Sequence, residues 1–183
     1  MSKEKVFKID VFKYPSSDKI KGRISTIRRS MACTMLKREG CSREEEKRWK
    51  EFFPKRVCAY CGEPTQYLDH LHPLIDDKGP TGYGTEPGNL VPCCRSCNQA
   101  KGNKDWRVYI ESICDNNNED AKKEKERRID IIEQFQKEMK PQKVDISRPI
   151  KEEWLEQVKR FNDLLDEINN KIIEMSKRIY EQE

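Results

Sequence analysis

Cys58-Ala-Tyr-Cys61 and Cys94-Arg-Ser-Cys97 enclose Asp69-His70-Leu71-His72-Pro73 and Gly88-Asn89-Leu90-Val91 in a chain of 183 residues, and the two cysteine pairs decide how this stretch folds. Two residues between the sulfurs of each pair let a tight turn present both thiolates to one tetrahedral ion, the geometry that zinc accepts without electronic preference. Such a site supplies roughly 10 to 16 kcal/mol of binding free energy at neutral pH, which can replace the hydrophobic core that this polar segment lacks. Cys58, Cys61, Cys94 and Cys97 are therefore the expected ligands of a structural Zn²⁺. Cys93 adjoins Cys94, but Cys94 keeps the two-residue spacing to Cys97 and is the better ligand. Cys33, Cys41 and Cys114 have no partner at that spacing and read as small apolar residues.

Disulfides are the competing account of eight cysteines. Met1 to Asp10 is charged throughout and has no apolar core of the kind a secretory leader needs, and no apolar run approaches membrane-spanning length. The expectation is a reduced, cytoplasmic protein without a membrane partner, where paired Cys-x-x-Cys motifs favour metal over disulfide.

Within the cage stand the residue types of phosphodiester hydrolysis. A divalent ion with oxygen ligands could sit on Asp69 and Asn98, polarise a phosphate oxygen and stabilise the leaving oxyanion. His70, pointing away from its neighbour Asp69 on an extended strand, would activate water. Asn98 directly follows the last zinc cysteine, so the cage would aim a ligand of the second metal. His72 lies two residues beyond His70 and shares its strand face; it reads as a spare ligand or, preferably, as a partly buried imidazole packed beside Pro73.

Cys58-Ala-Tyr-Cys61-Gly62, Asp69-His70-x-x-Pro73, Gly88-Asn89-Leu90-Val91-Pro92 and Cys94-Arg-Ser-Cys97-Asn98-x-x-Lys101-Gly102 together resemble the HNH endonucleases, the ββα-metal nucleases, in their four-cysteine zinc subgroup. The resemblance implies that His70 is the general base, that Asp69 and Asn98 bind the catalytic ion, and that Asn89 braces the loop between strand and helix without touching metal. Asn98 stands where the family often has histidine, which favours a hard, oxygen-rich site and hence Mg²⁺ or Mn²⁺ over catalytic zinc. The loop from Leu74 to Pro87 is long and carries Asp76, Asp77, Gly79, Pro80, Gly82, Tyr83 and Gly84. It is either an inert surface loop or one that contacts DNA.

Working outward, hydrophobic content of 34%, charged content of 38% and a mean hydropathy of −1.01 argue against one large core. The expected fold is α+β: a zinc-stapled ββα-metal module at residues 57–115, a basic arm of one short strand and two helices at 1–56, and long helices at 116–183. Charge is uneven, with 17 basic against 8 acidic residues in 1–57 and 15 against 19 in 111–183. Val6 to Phe12 reads as the short strand. Ile20, Ile24, Ile27, Met31 and Met35 recur at helical spacing between Lys19 and Arg38, with Gly40 as a stop. Ser42 and Glu45 form a capping box for a helix running to Phe53 before Pro54.

The chain after the second cysteine pair should open a helix near Asn98, with Trp106, Tyr109, Ile110 and Ile113 as packing residues and the Asp115–Asn118 break as its end. Phosphate contacts are expected from Arg95, Lys101, Lys104, Arg107, Arg28 and Arg29, with Lys101 foremost because it belongs to the matched motif. Base contacts are expected among Arg23, Arg28, Arg29, Arg43, Arg48, Tyr83 and Arg95. A helix is expected from Glu119 to Lys140, a linker between Pro141 and Pro149, and a last helix from Ile150. Trp154, Val158, Phe161, Leu165, Ile168, Ile172, Met175 and Ile179 then step by four and three as a coiled-coil seam. The seam must be covered, by its twin in a homodimer or by the preceding helix.

No repeat, low-complexity tract, phosphate loop or helicase motif is present in the sequence, so no nucleotide cofactor is expected. The favoured function is a restriction endonuclease cutting double-stranded DNA. The alternatives are a homing, nicking or phage-type nuclease of the same chemistry, or a non-catalytic zinc ribbon that binds nucleic acid or protein.

Overall fold

The computed structural model describes residues 18–36, 40–114 and 118–180. The strand expected at Val6 to Phe12 lies outside them. Among the described residues the chain is α+β, with six α-helices and two small antiparallel sheets.

The central unit is a hairpin followed by a helix. Strand β1 (Leu68–His70) pairs antiparallel with β4 (Leu90–Pro92), Asp69 opposite Val91. Between them lie a short hairpin of β2 (Ile75–Asp76) and β3 (Gly79–Pro80) and a single 3₁₀ turn at Pro87–Asn89. Helix α3 (Arg95–Lys101) follows β4 and begins three residues before the expected opening at Asn98. The reason is local. Cys94 occupies the N-cap, and its Sγ accepts the backbone N–H of Cys97 at 3.4 Å in place of the usual hydroxyl or carboxylate.

Helices from both sides in sequence complete the core of this unit. Helix α2 (Arg43–Phe52) starts on the reciprocal Ser42–Glu45 capping box and delivers Trp49, Phe52 and Phe53. Helix α4 (Trp106–Ile113) adds Trp106, Tyr109 and Ile110, whereas Ile113, expected to pack, is exposed. Helix α5 (Glu119–Met139) adds Ile129, Ile132 and Phe135. Phe135 lies 5.5 Å from Phe52 and 5.1 Å from Phe53, and Tyr60 meets Tyr109 edge to face at 5.5 Å. Such aromatic pairs add about 0.5–1.5 kcal/mol each beyond area burial. This core draws on residues either side of positions 57 and 115, because the small unit leaves apolar faces that α2 and α5 cover.

A second, smaller core joins Ala32 of α1 (Asp18–Met35), Leu74 and Ile75 of the β2 side, and Trp154 and Val158 of α6 (Arg148–Tyr180). The stretch from Leu74 to Pro87 is thus a docked hairpin, its inner side held against α6. Gly82 shows why a side chain is excluded there: φ is +98°, and a Cβ would sit 2.1 Å from the carbonyl oxygen of Val144. Helix α6 starts two residues earlier than expected and takes Pro149 into its first turn, where the missing N–H has no helical partner to lose. Its apolar seam divides. Trp154 and Val158 are buried on the hairpin and α1, not on α5, while Ile168, Met175, Ile172 (53% exposed) and Ile179 (67% exposed) are uncovered.

Candidate active site

Alternation along β1 separates two adjacent side chains. Asp69, 7% exposed, turns inward, while Leu68 and His70 lie on the outer face. The Asp69 carboxylate accepts a hydrogen bond from the Tyr60 hydroxyl at 3.3 Å and pairs with Lys101 Nζ at 3.0 Å. Lys101 is 1% exposed and also donates to the His70 carbonyl at 2.9 Å. The expectation that Lys101 reaches a DNA phosphate is corrected by this burial: its ammonium neutralises Asp69 and ties α3 to β1. A carboxylate buried without such a partner is strongly destabilising.

His70 is half-buried, with Nε2 2.9 Å from Thr85 Oγ1. Burial lowers its pKa to about 4, against an upward pull from Asp69 and with smaller downward pushes from Arg29 and Lys101. The ring is thus neutral near pH 7, the form that can accept a proton. Thr85 also lies 3.5 Å from Cys33 Sγ, which brings α1 beside the site. Sequence reasoning passed over Thr85, since a threonine fifteen residues beyond His70 carries no local signal.

Asn89 is fully buried in the turn before β4. Its Oδ1 accepts from the His72 N–H at 2.8 Å, and its Nδ2 donates to the carbonyls of His72 and Gly84 at 3.1 and 2.9 Å. The amide thus clamps the chain leaving β1 to the chain entering β4. His72 stacks on Tyr83 with centroids 4.3 Å apart, lies 2.7 Å from Gln136 at Nε2, and has its pKa lowered by burial. The Tyr83 ring, half-buried, is stacked on His72 and has Lys143 Nζ 5.5 Å from its centroid. Asn98 is half-buried on α3, three residues before Lys101.

The sulfurs of Cys58, Cys61, Cys94 and Cys97 all lie within 4.8 Å of one another, with Cys61 and Cys94 3.7 Å apart. Cys93 stays outside the cluster, buried, its thiol donating to the Cys94 carbonyl at 3.3 Å. Its hydrogen bond to Cys58 draws the Cys58 pKa down to about 4, whereas desolvation pushes Cys61 up to about 11 and Cys97 upward as well. Four thiols converging on one point are a donor set that fits zinc, whose charge favours the thiolate form.

The HNH endonuclease family model matches residues 58–104. Residues 58–104 are an HNH endonuclease domain. No curated protein and no solved structure matches the chain. The HNH domain coincides with the four-sulfur cluster, the β1–β4 hairpin and α3, so metal-dependent nuclease chemistry is the activity its family indicates. The Asp69 carboxylate and the Asn98 carboxamide are oxygen donors of the kind a hard divalent ion takes, and both polar contacts of the Asp69 carboxylate fall on Oδ2.

Around the HNH domain the basic residues sort by their partners. Arg28 lies over the Trp154 ring at 5.4 Å, and Arg107 pairs with Glu133 while lying 5.5 Å from the Trp106 ring. Both are half-buried, so these contacts compete with the phosphate contacts expected of them. Lys104 is exposed and donates to the Ala100 carbonyl at 3.0 Å; Arg29 and Arg95 are exposed. Among the described residues no helix is long and apolar enough to cross a membrane.

Proposed function

We propose that the chain is a metal-dependent HNH endonuclease that cuts double-stranded DNA at specific sequences, as a cytoplasmic restriction enzyme. The observation that carries this reading is the division of labour on β1, where a buried carboxylate and a neutral imidazole point to opposite faces beside a four-sulfur cage. Asp69 and Asn98 would hold Mg²⁺ or Mn²⁺, which when bound polarises the phosphate and stabilises the leaving oxyanion. His70 takes the proton of the attacking water, and Thr85 orients its ring. Lys101 holds the Asp69 carboxylate in place through their ion pair, and Asn89 fixes the loop that presents both strands. Arg29, Arg95 and Lys104 supply phosphate contacts.

One HNH site cuts one strand, so a double-strand break calls for two sites related by a twofold axis. The uncovered distal part of α6 supports a homodimer through this helix. The deciding experiment digests supercoiled plasmid and genomic DNA with purified protein and Mg²⁺ and sequences the fragment ends. Discrete ends sharing a motif are expected; nicking without linearisation would instead assign a monomeric nicking or homing enzyme. His70→Ala should keep its zinc and melting temperature and lose cleavage, and a His70→Ala protein that cuts at the parent rate would overturn the mechanism.

A further inference from the structure

We propose that Tyr67, flanked by Arg56 and Arg95, is a stacking site for an unpaired base of the nucleic acid that enters the HNH centre. This rests on the nuclease reading above and gives the site a place for a base that is unpaired locally, within the duplex target, beside the scissile phosphate.

Tyr67 immediately precedes β1 and is 63% exposed. Its backbone is nevertheless fixed on both sides, with its N–H donating to Thr65 Oγ1 at 3.1 Å and its carbonyl accepting from the Cys93 N–H at 3.0 Å. Thr65 is itself buried and donates to the Cys93 carbonyl at 2.8 Å. The exposed ring thus stands on the rigid frame of the cysteine cluster, so little freedom is lost when a ligand stacks on it.

A single exposed aromatic ring is ordinary; the surroundings of this one are not. Two depressions meet at Tyr67. One, of about 510 Å³, is bounded by Arg56, Gln66 and Arg95. The other, of about 440 Å³, runs past Leu68 and Trp49 to Thr85, whose hydroxyl holds His70. Arg56, Thr65, Gln66 and Tyr67 line both, so they form one track from the cationic end to the general base. Both volumes fall within the roughly 300–1,000 Å³ of ligand sites.

Charge decides what the track would take. Arg107, Arg127, Arg128 and Arg148 each pair with a glutamate, but Arg56 and Arg95 make no ion pair among the described residues. Of the acids that line the track, Glu46 pairs with Lys50, and Glu86 is 5% exposed with its carboxylate turned to the Gln142 N–H. Two uncompensated guanidiniums about an exposed ring match a polyanion that carries π faces, the chemistry of single-stranded nucleic acid. The bases of an intact duplex are stacked on one another and offer no face to Tyr67.

The test uses the full chain with His70→Ala to prevent cleavage, and fluorescence anisotropy with a labelled single strand, the matching duplex and an acidic peptide. Tyr67→Ala should weaken single-strand binding about 10-fold and leave duplex binding unchanged, while Tyr67→Phe should restore the parent affinity. Arg56→Gln with Arg95→Gln should flatten the salt dependence of single-strand binding by about 1.4 in the log-log slope. Zinc content and melting temperature verify that each variant folds. Unchanged single-strand binding by Tyr67→Ala, an equal loss on duplex, or tighter binding of the acidic peptide would each refute the stacking site. Cleavage by the unaltered chain is scored separately: its absence refutes the nuclease reading, whichever way Tyr67→Ala behaves.

Discussion

The two cores of this molecule are held by different physics. The first surrounds the cysteine cluster, where Tyr60, Leu71, Val91, Trp106, Phe135 and their neighbours pack about a unit whose strands are three residues long. The second joins α1, the β2–β3 hairpin and the proximal part of α6 through Leu74, Ile75, Ala32, Trp154 and Val158, with no sulfur cluster behind it. In the first, four converging sulfurs that could hold a metal ion and a buried ion pair set the geometry, and aromatic packing closes the shell. In the second, a single large ring, Trp154, packs among small and aliphatic side chains. A buried carboxylate such as Asp69 needs the first kind of support, since it tolerates little displacement from its counter-ion.

That contrast can be broken at graded cost. Cys61→Ser should forfeit most of the roughly 10–16 kcal/mol that a four-thiolate zinc site supplies and unfold the HNH domain; zinc content and thermal melting measure it, and a stable, active variant would refute the cage. Lys101→Met should destabilise by about 3–5 kcal/mol, because Asp69 is then buried without its cation. Adding Asp69→Asn should recover part of that loss in urea unfolding, and a single variant within about 1 kcal/mol of the parent would show that the pair is not needed.

Trp154→Ala comes next, at about 3 kcal/mol. Hydrogen exchange should show protection lost in the proximal turns of α6 and in the β2–β3 hairpin and retained in α5, and uniform loss across both cores would merge what the packing separates. Smallest is Ile172→Ser, an exposed position expected to change monomer stability by no more than about 0.5 kcal/mol. Sedimentation should nevertheless show a dimer weakened by this change, and an unaltered association state would move the twofold contact away from α6.

Much of this was legible along the chain because it depends on near neighbours. The Cys-x-x-Cys spacing placed four sulfurs together, the period of two separated Asp69 from His70, and Ser42 with Glu45 marked the start of α2. Lys101 was misjudged for the same reason. Its position in a motif says nothing about whether the side chain leaves the helix toward solvent or toward a buried acid. Thr85 beside His70, Gln136 beside His72, and Arg28 over Trp154 involve partners 15, 64 and more than a hundred residues apart, for which no local pattern exists.

The sequence by itself determined the metal-binding spacing, the carboxylate-imidazole adjacency and the helical periods, since covalent geometry and local hydrogen bonding set each of them. Only the tertiary structure decided that Lys101 turns inward to Asp69, that the Leu74–Pro87 stretch is a docked hairpin, and that α6 buries the first part of its seam and leaves the rest uncovered. Those outcomes follow from competition among distant surfaces for burial and for charge neutralisation, which the three-dimensional packing resolves.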